Sequence, residues 1–115
     1  MNFETTEKID FYLPKVKKFI NDHVLPVELG IRNKKIPEEK RWEPHSELEG
    51  LKEEAQKQGL WNLFLPDSEY GAGLSNFEYA HLAEEMGRTS FASEAMNCSA
   101  PDTGNMEVLV RYGSD

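Results

Sequence analysis

Between Ile9 and Val27 the apolar residues recur every three or four positions, and that spacing commits the start of the chain to helix. Ile9, Tyr12, Leu13, Val16, Phe19, Ile20, Val24 and Val27 follow the 3.6-residue period. Lys15, Lys17, Lys18, Asp22 and Glu28 fall mostly between them. Two prolines bear on where the helix runs. Pro14 has the fixed φ of a first turn and places the regular helix from near Leu13. Pro26 lacks the amide hydrogen of an interior position, so it kinks or ends the helix. The region reads as one long helix or two joined pieces.

Residues 30–41 are polar and aperiodic, with Lys34, Lys35, Glu38, Glu39 and Lys40, and read as a solvated loop. A second helix begins near Pro44 or Ser46. Ser46 and Glu49 have capping-box spacing. Leu48, Leu51 and Ala55 form its apolar stripe, and Gly59 is a natural terminator. Leu60-Trp61-Asn62-Leu63-Phe64-Leu65-Pro66 could be a buried strand. No second strand pattern offers it a partner, so it reads as buried connecting chain. Ser75 and Glu78 make another capping-box pair. Tyr79, Leu82, Ala83 and Met86 then share one face of a third helix, which Gly87 ends. A short helix covers 91–97. A last one covers 103–112, with Met106, Leu109 and Val110 inward. The sum is an all-α chain: one small orthogonal or up-down helical domain, residues 1–115, of about four to six helices.

Composition excludes several partners. At 115 residues, folding buries roughly 65% of the unfolded surface, enough for a modest core. The net charge of −8 argues against nucleic acid, whose binders need clustered cations. Anionic membrane surfaces are disfavoured for the same reason. Cys98 is the single cysteine, so no intrachain disulfide forms, which fits a reducing compartment. No apolar run approaches the ~20 residues that span a bilayer. The opening Met1-Asn2-Phe3-Glu4-Thr5-Thr6-Glu7 shows no secretory signal. It is too acidic for an ordinary mitochondrial transit peptide.

The chemistry-bearing residues mostly read as structural. Glu78 and His81 form one Glu-x-x-His pair, whereas a di-iron bundle needs two pairs and two further glutamates. Glu78, His81, Glu85 and Arg88 share a face that reads as solvated. His23 and His45 have no partner at metal-ligand spacing, so no metal site is expected. Gly71-Ala72-Gly73 lacks the third glycine of a dinucleotide fingerprint and reads as a tight loop. Cys98 has no activating base nearby and reads as a packed thiol. Trp61, Phe64, Tyr79 and Phe91 suit core packing. Asp102 or Thr103 can cap the last helix, or point a polar group into a neighbouring cavity. Gly104 and Asn105 fall in its first turn, where backbone N–H groups can meet an anion or carbonyl.

Several stretches carry a family resemblance, Asn97–Leu109 and Gly59–Pro66 among them. Leu65-Pro66-Asp67-Ser68-Glu69-Tyr70-Gly71-Ala72-Gly73-Leu74-Ser75 is similar to the P-x-x-Y-G-G-x-G-L-S loop of acyl-CoA dehydrogenases, with Ala72 where a second glycine is frequent. Glu84-Glu85-Met86-Gly87-Arg88 resembles the family's E-E-x-G-R helix end. Val110-Arg111-Tyr112-Gly113-Ser114 resembles the end of its next helix. The chain looks like the N-terminal helical domain, closest to the subfamily whose larger members carry a fused kinase-like domain. The likeness is strong from Gly59 onward and weakest before Pro44.

That resemblance implies an FAD-dependent enzyme of fatty acid β-oxidation. Such enzymes have a helical N-terminal domain, a middle β-domain and a C-terminal helical bundle. They remove a proton and a hydride from the α and β carbons of an acyl-CoA. FAD takes the hydride, and a glutamate of the last domain usually takes the proton. The flavin is held chiefly by the middle and last domains and a neighbouring subunit, as a homo-oligomer. By this reading the chain carries no catalytic residue, binds no FAD stably alone, and depends on its missing middle and C-terminal domains. It would reside in the cytoplasm of a bacterium, or in mitochondria or peroxisomes of a eukaryote. Carried over, Asn97, Ala100, Pro101 and Gly104 would line the acyl pocket wall, with Asp102 and Thr103 adjacent. The alternative is a stand-alone helical interaction domain reusing the fold. It calls for a polar surface where the enzyme would bury apolar interdomain contacts.

Overall fold

The computed structural model describes residues 6–114; residues 1–5, read above for a missing signal, and Asp115 lie outside the described residues. Among the described residues all regular structure is helical, as expected. α1 spans Glu7–Phe19. It starts well before Leu13, because Thr6 caps it: the Thr6 Oγ1 accepts the Ile9 N–H at 3.3 Å. Glu7 and Asp10 in the first turn and Lys17 and Lys18 in the last suit the helix dipole. Pro14 therefore lies inside the helix, on an exposed position. Burial of Ile9, Val16 and Phe19 offsets its lost hydrogen bond.

The path continues without a break through a π-helical turn, Ile20–Val24, into α2, Leu25–Arg32. The Leu25 N–H donates to the Ile20 carbonyl, five residues back. The widened turn delivers Pro26 to the start of α2, where a missing N–H costs little. Ile20 and Val24 stay fully buried, so the core stripe survives the change of register. Gly30 and Ile31 are helical and Ile31 is buried, which moves the start of the solvated loop to Asn33. That loop is exposed and holds one 3-10 turn, Glu38–Lys40.

α3 spans Glu47–Lys57. The capping box expected at Ser46 does not form. Ser46 has helical backbone angles, and the Glu49 N–H already donates to its carbonyl at 3.2 Å. Glu49 pairs with Lys52 instead. The far end behaves as expected. Gly59 takes φ +73°, and the Leu60 N–H reaches back to the Ala55 carbonyl at 2.8 Å.

The 60–65 run is buried connecting chain, with Leu60, Leu63 and Leu65 inside. α4, Asn76–Met86, has the full capping box between Ser75 and Glu78. Its polar face is not simply solvated, because it runs along α1. Glu78 accepts the Thr6 hydroxyl at 2.6 Å, and Glu85 pairs with Lys17 and Arg88. α5 is the four-residue turn Ala92–Ala95, shorter than the sequence suggested. α6 spans Asp102–Tyr112. Phe19, Ile20, Leu60, Leu63, Leu82 and Met96 centre the core.

One buried charge ties the halves together. Glu28 is 4% exposed. Its carboxylate accepts the Ser90 N–H at 2.9 Å and pairs with Arg32 at 3.0 Å. The Ser90 amide above all, with Arg32, holds its pKa below the usual carboxylate value despite burial. The folded state thus favours the ionised form. Its contribution is present above the ordinary pKa of 4.5 and fades as pH falls through the lower folded value. We expect Glu28→Ala to cost about 1–3 kcal/mol at neutral pH by stranding the Ser90 amide. We expect Glu28→Gln to flatten the loss of stability below that pH. Thermal unfolding across pH 3–7 reads both, and an unchanged acid limb in Glu28→Gln would contradict the assignment.

The glycines give a second test. A Cβ on Gly71 would collide with the Leu65 carbonyl and side chain and come within 2.9 Å of the Asp67 carbonyl. Gly50, inside α3, has open space around it. Gly71→Ala is expected to destabilise by more than ~2 kcal/mol, and Gly50→Ala to stabilise by about 0.5–1 kcal/mol. Denaturant midpoints of the two variants should move in opposite directions.

Candidate functional site

The six residues expected at a pocket wall run from the end of α5 into the first turn of α6. Asn97 leaves α5 with φ +56° and is half-buried. Asn97, Ala100 and Asp102, with Lys52, Glu94 and Ser99, line a polar cavity of about 210 Å³. Pro101 and Gly104 are exposed and Thr103 is half-buried, and these three stand outside that cavity. So the structure brings together half of the expected set.

The start of α6 differs from the sequence reading. Pro101 occupies the N-cap and makes no side-chain cap, so neither Asp102 nor Thr103 caps the helix. Asp102 lies in the first turn, where its charge faces the positive end of the dipole. The Thr103 N–H donates to the Ser99 carbonyl at 3.2 Å, and the Asn105 N–H to the Pro101 carbonyl at 3.4 Å. The Asn105 amide is thus already engaged.

The inward stripe of α6 is also only partly right. Met106 and Val110 are half-buried, but Leu109 is 67% exposed. Val108 at 58% and Tyr112 at 81% extend it into an apolar ridge on the surface. Among the described residues no side chain of α6 is fully buried. With so little of α6 inside, the domain core leaves this ridge without a cover. Beside the helix, Leu65, Pro66, Asp67, Glu107, Val110 and Arg111 line a second cavity of about 260 Å³.

Asn62 was read only as part of an apolar run, yet it is central here. It takes φ +58°, a region that asparagine tolerates better than other side-chain-bearing residues. Its N–H donates to the Met96 carbonyl at 3.2 Å. Its Oδ1 accepts from Asn97 Nδ2 at 2.6 Å. A polar amide inside a run of large apolar residues was the available signal.

Cys98 is half-buried, and its thiol donates to the Met96 carbonyl at 3.4 Å. Burial pushes the thiol pKa up, as it does that of the Tyr79 hydroxyl beside it. That is the reverse of an activated nucleophile. Each histidine leans on a ring: His23 on Phe19, His45 on Phe91 and His81 on Phe77. Among the described residues no three His, Cys, Asp or Glu side chains are grouped to hold a metal ion. No helix among them is long and apolar enough to cross a membrane.

Comparison with known proteins agrees with this architecture. Residues 6–115 match the family described as acyl-CoA dehydrogenase, N-terminal domain. The chain is 52% identical over 103 residues to acyl-CoA dehydrogenase family member 10 of Mus musculus, covering 85% of this chain and 10% of that one. It is 45% identical over 116 residues to family member 11 of Homo sapiens, covering 98% and 14%. These are members of the subfamily anticipated from the sequence. A solved chain from Mycobacterium abscessus, assigned to the acyl-CoA dehydrogenases, superposes with TM-score 0.85 at 47% identity. That match covers 97% of this chain and 30% of the solved one.

The Cys98 environment has a direct consequence. Iodoacetamide at pH 7.5 should label the folded chain far more slowly than a free thiol, with full labelling in denaturant. Mass spectrometry over time reads this, and labelling at the free-thiol rate would show that the thiol is not held as described.

Proposed function

Because this chain belongs to the acyl-CoA dehydrogenase family, as its N-terminal domain, we propose that it forms one wall of an acyl-CoA site. The enzyme it serves is an FAD-dependent dehydrogenase of fatty acid β-oxidation that desaturates the acyl chain between the α and β carbons. Asn97, Ala100, Pro101, Asp102, Thr103 and Gly104 are the wall residues of this reading. The supporting observation is the exposed ridge of Val108, Leu109 and Tyr112 directly after them. An apolar ridge of this kind marks a surface meant to be covered. The alternative, a self-sufficient interaction domain, calls for a polar surface at this place, so the ridge favours the enzyme reading.

FAD supplies the hydride acceptor when bound. The cavity at the wall, about 210 Å³, and the one beside α6, about 260 Å³, fall below the 300–1,000 Å³ typical of ligand pockets, so this face of the chain does not enclose a flavin by itself. We assign the flavin and the proton acceptor to a middle β-domain and a C-terminal bundle, in a homo-oligomer. The compartment is the cytoplasm in a bacterium, and the mitochondrion or peroxisome in a eukaryote. The chain spans 10% and 14% of its two named relatives, which leaves ample length for those parts.

The work of this chain is to bind and to exclude water. Each acyl methylene buried against the wall contributes ~0.8 kcal/mol, so wall volume selects acyl length. Gly104 is exposed with open space where a Cβ would stand, so a larger residue there would project from the wall toward the acyl chain without disturbing the fold.

The test is a chimera carrying this chain as the N-terminal domain of the Mycobacterium abscessus relative. Acyl-CoA should bleach its flavin. Gly104→Leu should lower kcat/KM for long acyl chains by about tenfold or more relative to short ones. An active chimera whose chain-length profile ignores Gly104→Leu and Ala100→Leu would refute the wall assignment. Turnover by the 115-residue chain with FAD alone would refute the placing of the chemistry elsewhere.

A further inference from the structure

The expected wall hangs from the body of the domain by few attachments. α6 has no fully buried side chain, and the 97–101 turn that leads into it is half-buried at most. Something else must hold this segment in place.

Asn62 and Asn97 provide it. They lie 35 residues apart in sequence, and Asn97 Nδ2 donates to Asn62 Oδ1 at 2.6 Å. The same Nδ2 lies 3.2 Å from the Met106 Sδ of α6. Asn62 is anchored in turn: its N–H bonds to Met96, and its own Nδ2 donates to the Tyr70 carbonyl at 3.4 Å. One amide pair thus joins the buried 60–65 run, the 66–73 loop, the end of α5 and α6. Both residues sit in left-handed backbone, φ +58° and +56°, a region that asparagine tolerates better than other side-chain-bearing residues and that glycine would fit as well. What glycine could not supply is the bond between the two side chains, which uses an amide from each.

We infer that Asn62 is a positioning residue: acting through the Asn97 amide, it fixes where the 97–104 segment and α6 sit against the core. That this segment is an acyl wall rests on the reading above. That Asn62 holds it there does not.

The test uses the chain itself, read by amide hydrogen exchange and by NMR of the Asn97 side-chain amide. Asn62→Gly keeps the left-handed backbone but deletes the acceptor. Exchange across α6 should quicken about fivefold, the loss of one hydrogen bond, while α1, α3 and α4 change less than twofold. The Asn97 amide resonances should move toward those of a free amide. Asn62→Asp keeps an acceptor oxygen for Asn97 but sets its other oxygen against the Tyr70 carbonyl, so it should recover part of the α6 protection lost in Asn62→Gly. The double variant with Asn97→Gly should exchange no faster than the quicker single one. Unchanged α6 exchange in Asn62→Gly would overturn the proposal. So would equal quickening of every helix, failure of Asn62→Asp to rescue, or additivity in the double variant. The outcome is independent of acyl-length preference, so this proposal and the wall assignment can fail separately.

Discussion

The fold depends on a continuous apolar stripe running along one helical path from Ile9 to Ile31. The path is made of segments of 13, 5 and 8 residues, which at 1.5 Å per residue gives a rod of about 39 Å. α3, α4 and α5 find their places against that stripe or against what already lies on it. α4 runs along α1, and α5 meets the π turn and the far helices. A straight α-helix would drift out of register with the apolar residues where Val16, Phe19 and Ile20 give way to Val24. The single widened turn corrects the phase. It also accommodates Pro26, so one device solves a packing problem and a hydrogen-bonding problem together.

Much of this was legible in the residues. The 3.6-residue period, the Ser75–Glu78 box and the Gly59 terminator each act within one turn of helix, and each appears as read. The misreadings share a cause. Pro14 pointed to a late start because the capping hydroxyl of Thr6 was not weighed against it. Ser46 failed as a cap because the chain enters α3 already wound. Leu109 was placed inside because helical spacing alone marks an apolar residue as inward, and spacing is blind to whether a neighbour exists. Local rules predict local bonds, and they fail where the outcome depends on what stands opposite.

The candidate site follows the same division. Its position, from Asn97 to Gly104, came from a resemblance in sequence. Its construction did not, because Asn62 and Asn97 are far apart in the chain and no local pattern pairs them. Glu28 was hidden for the same reason. It read as one more polar residue between apolar ones, while its acceptor role requires an amide from Ser90. Burying a lone carboxylate is costly, and a backbone donor with a guanidinium beside it makes the position tenable. These long-range polar contacts fix the relative placement of segments whose apolar packing alone would allow sliding.

The Thr6–Glu78 and Glu28–Ser90 bonds close loops of 72 and 62 residues. During synthesis, the opening rod therefore leaves the ribosome long before its partners do. Its greasy side must wait, uncovered, until the chain as far as about residue 90 has emerged, and closure of so long a loop makes assembly slower than in bundles of neighbouring helices. Through that interval the uncovered apolar face is the part of the chain most open to aggregation.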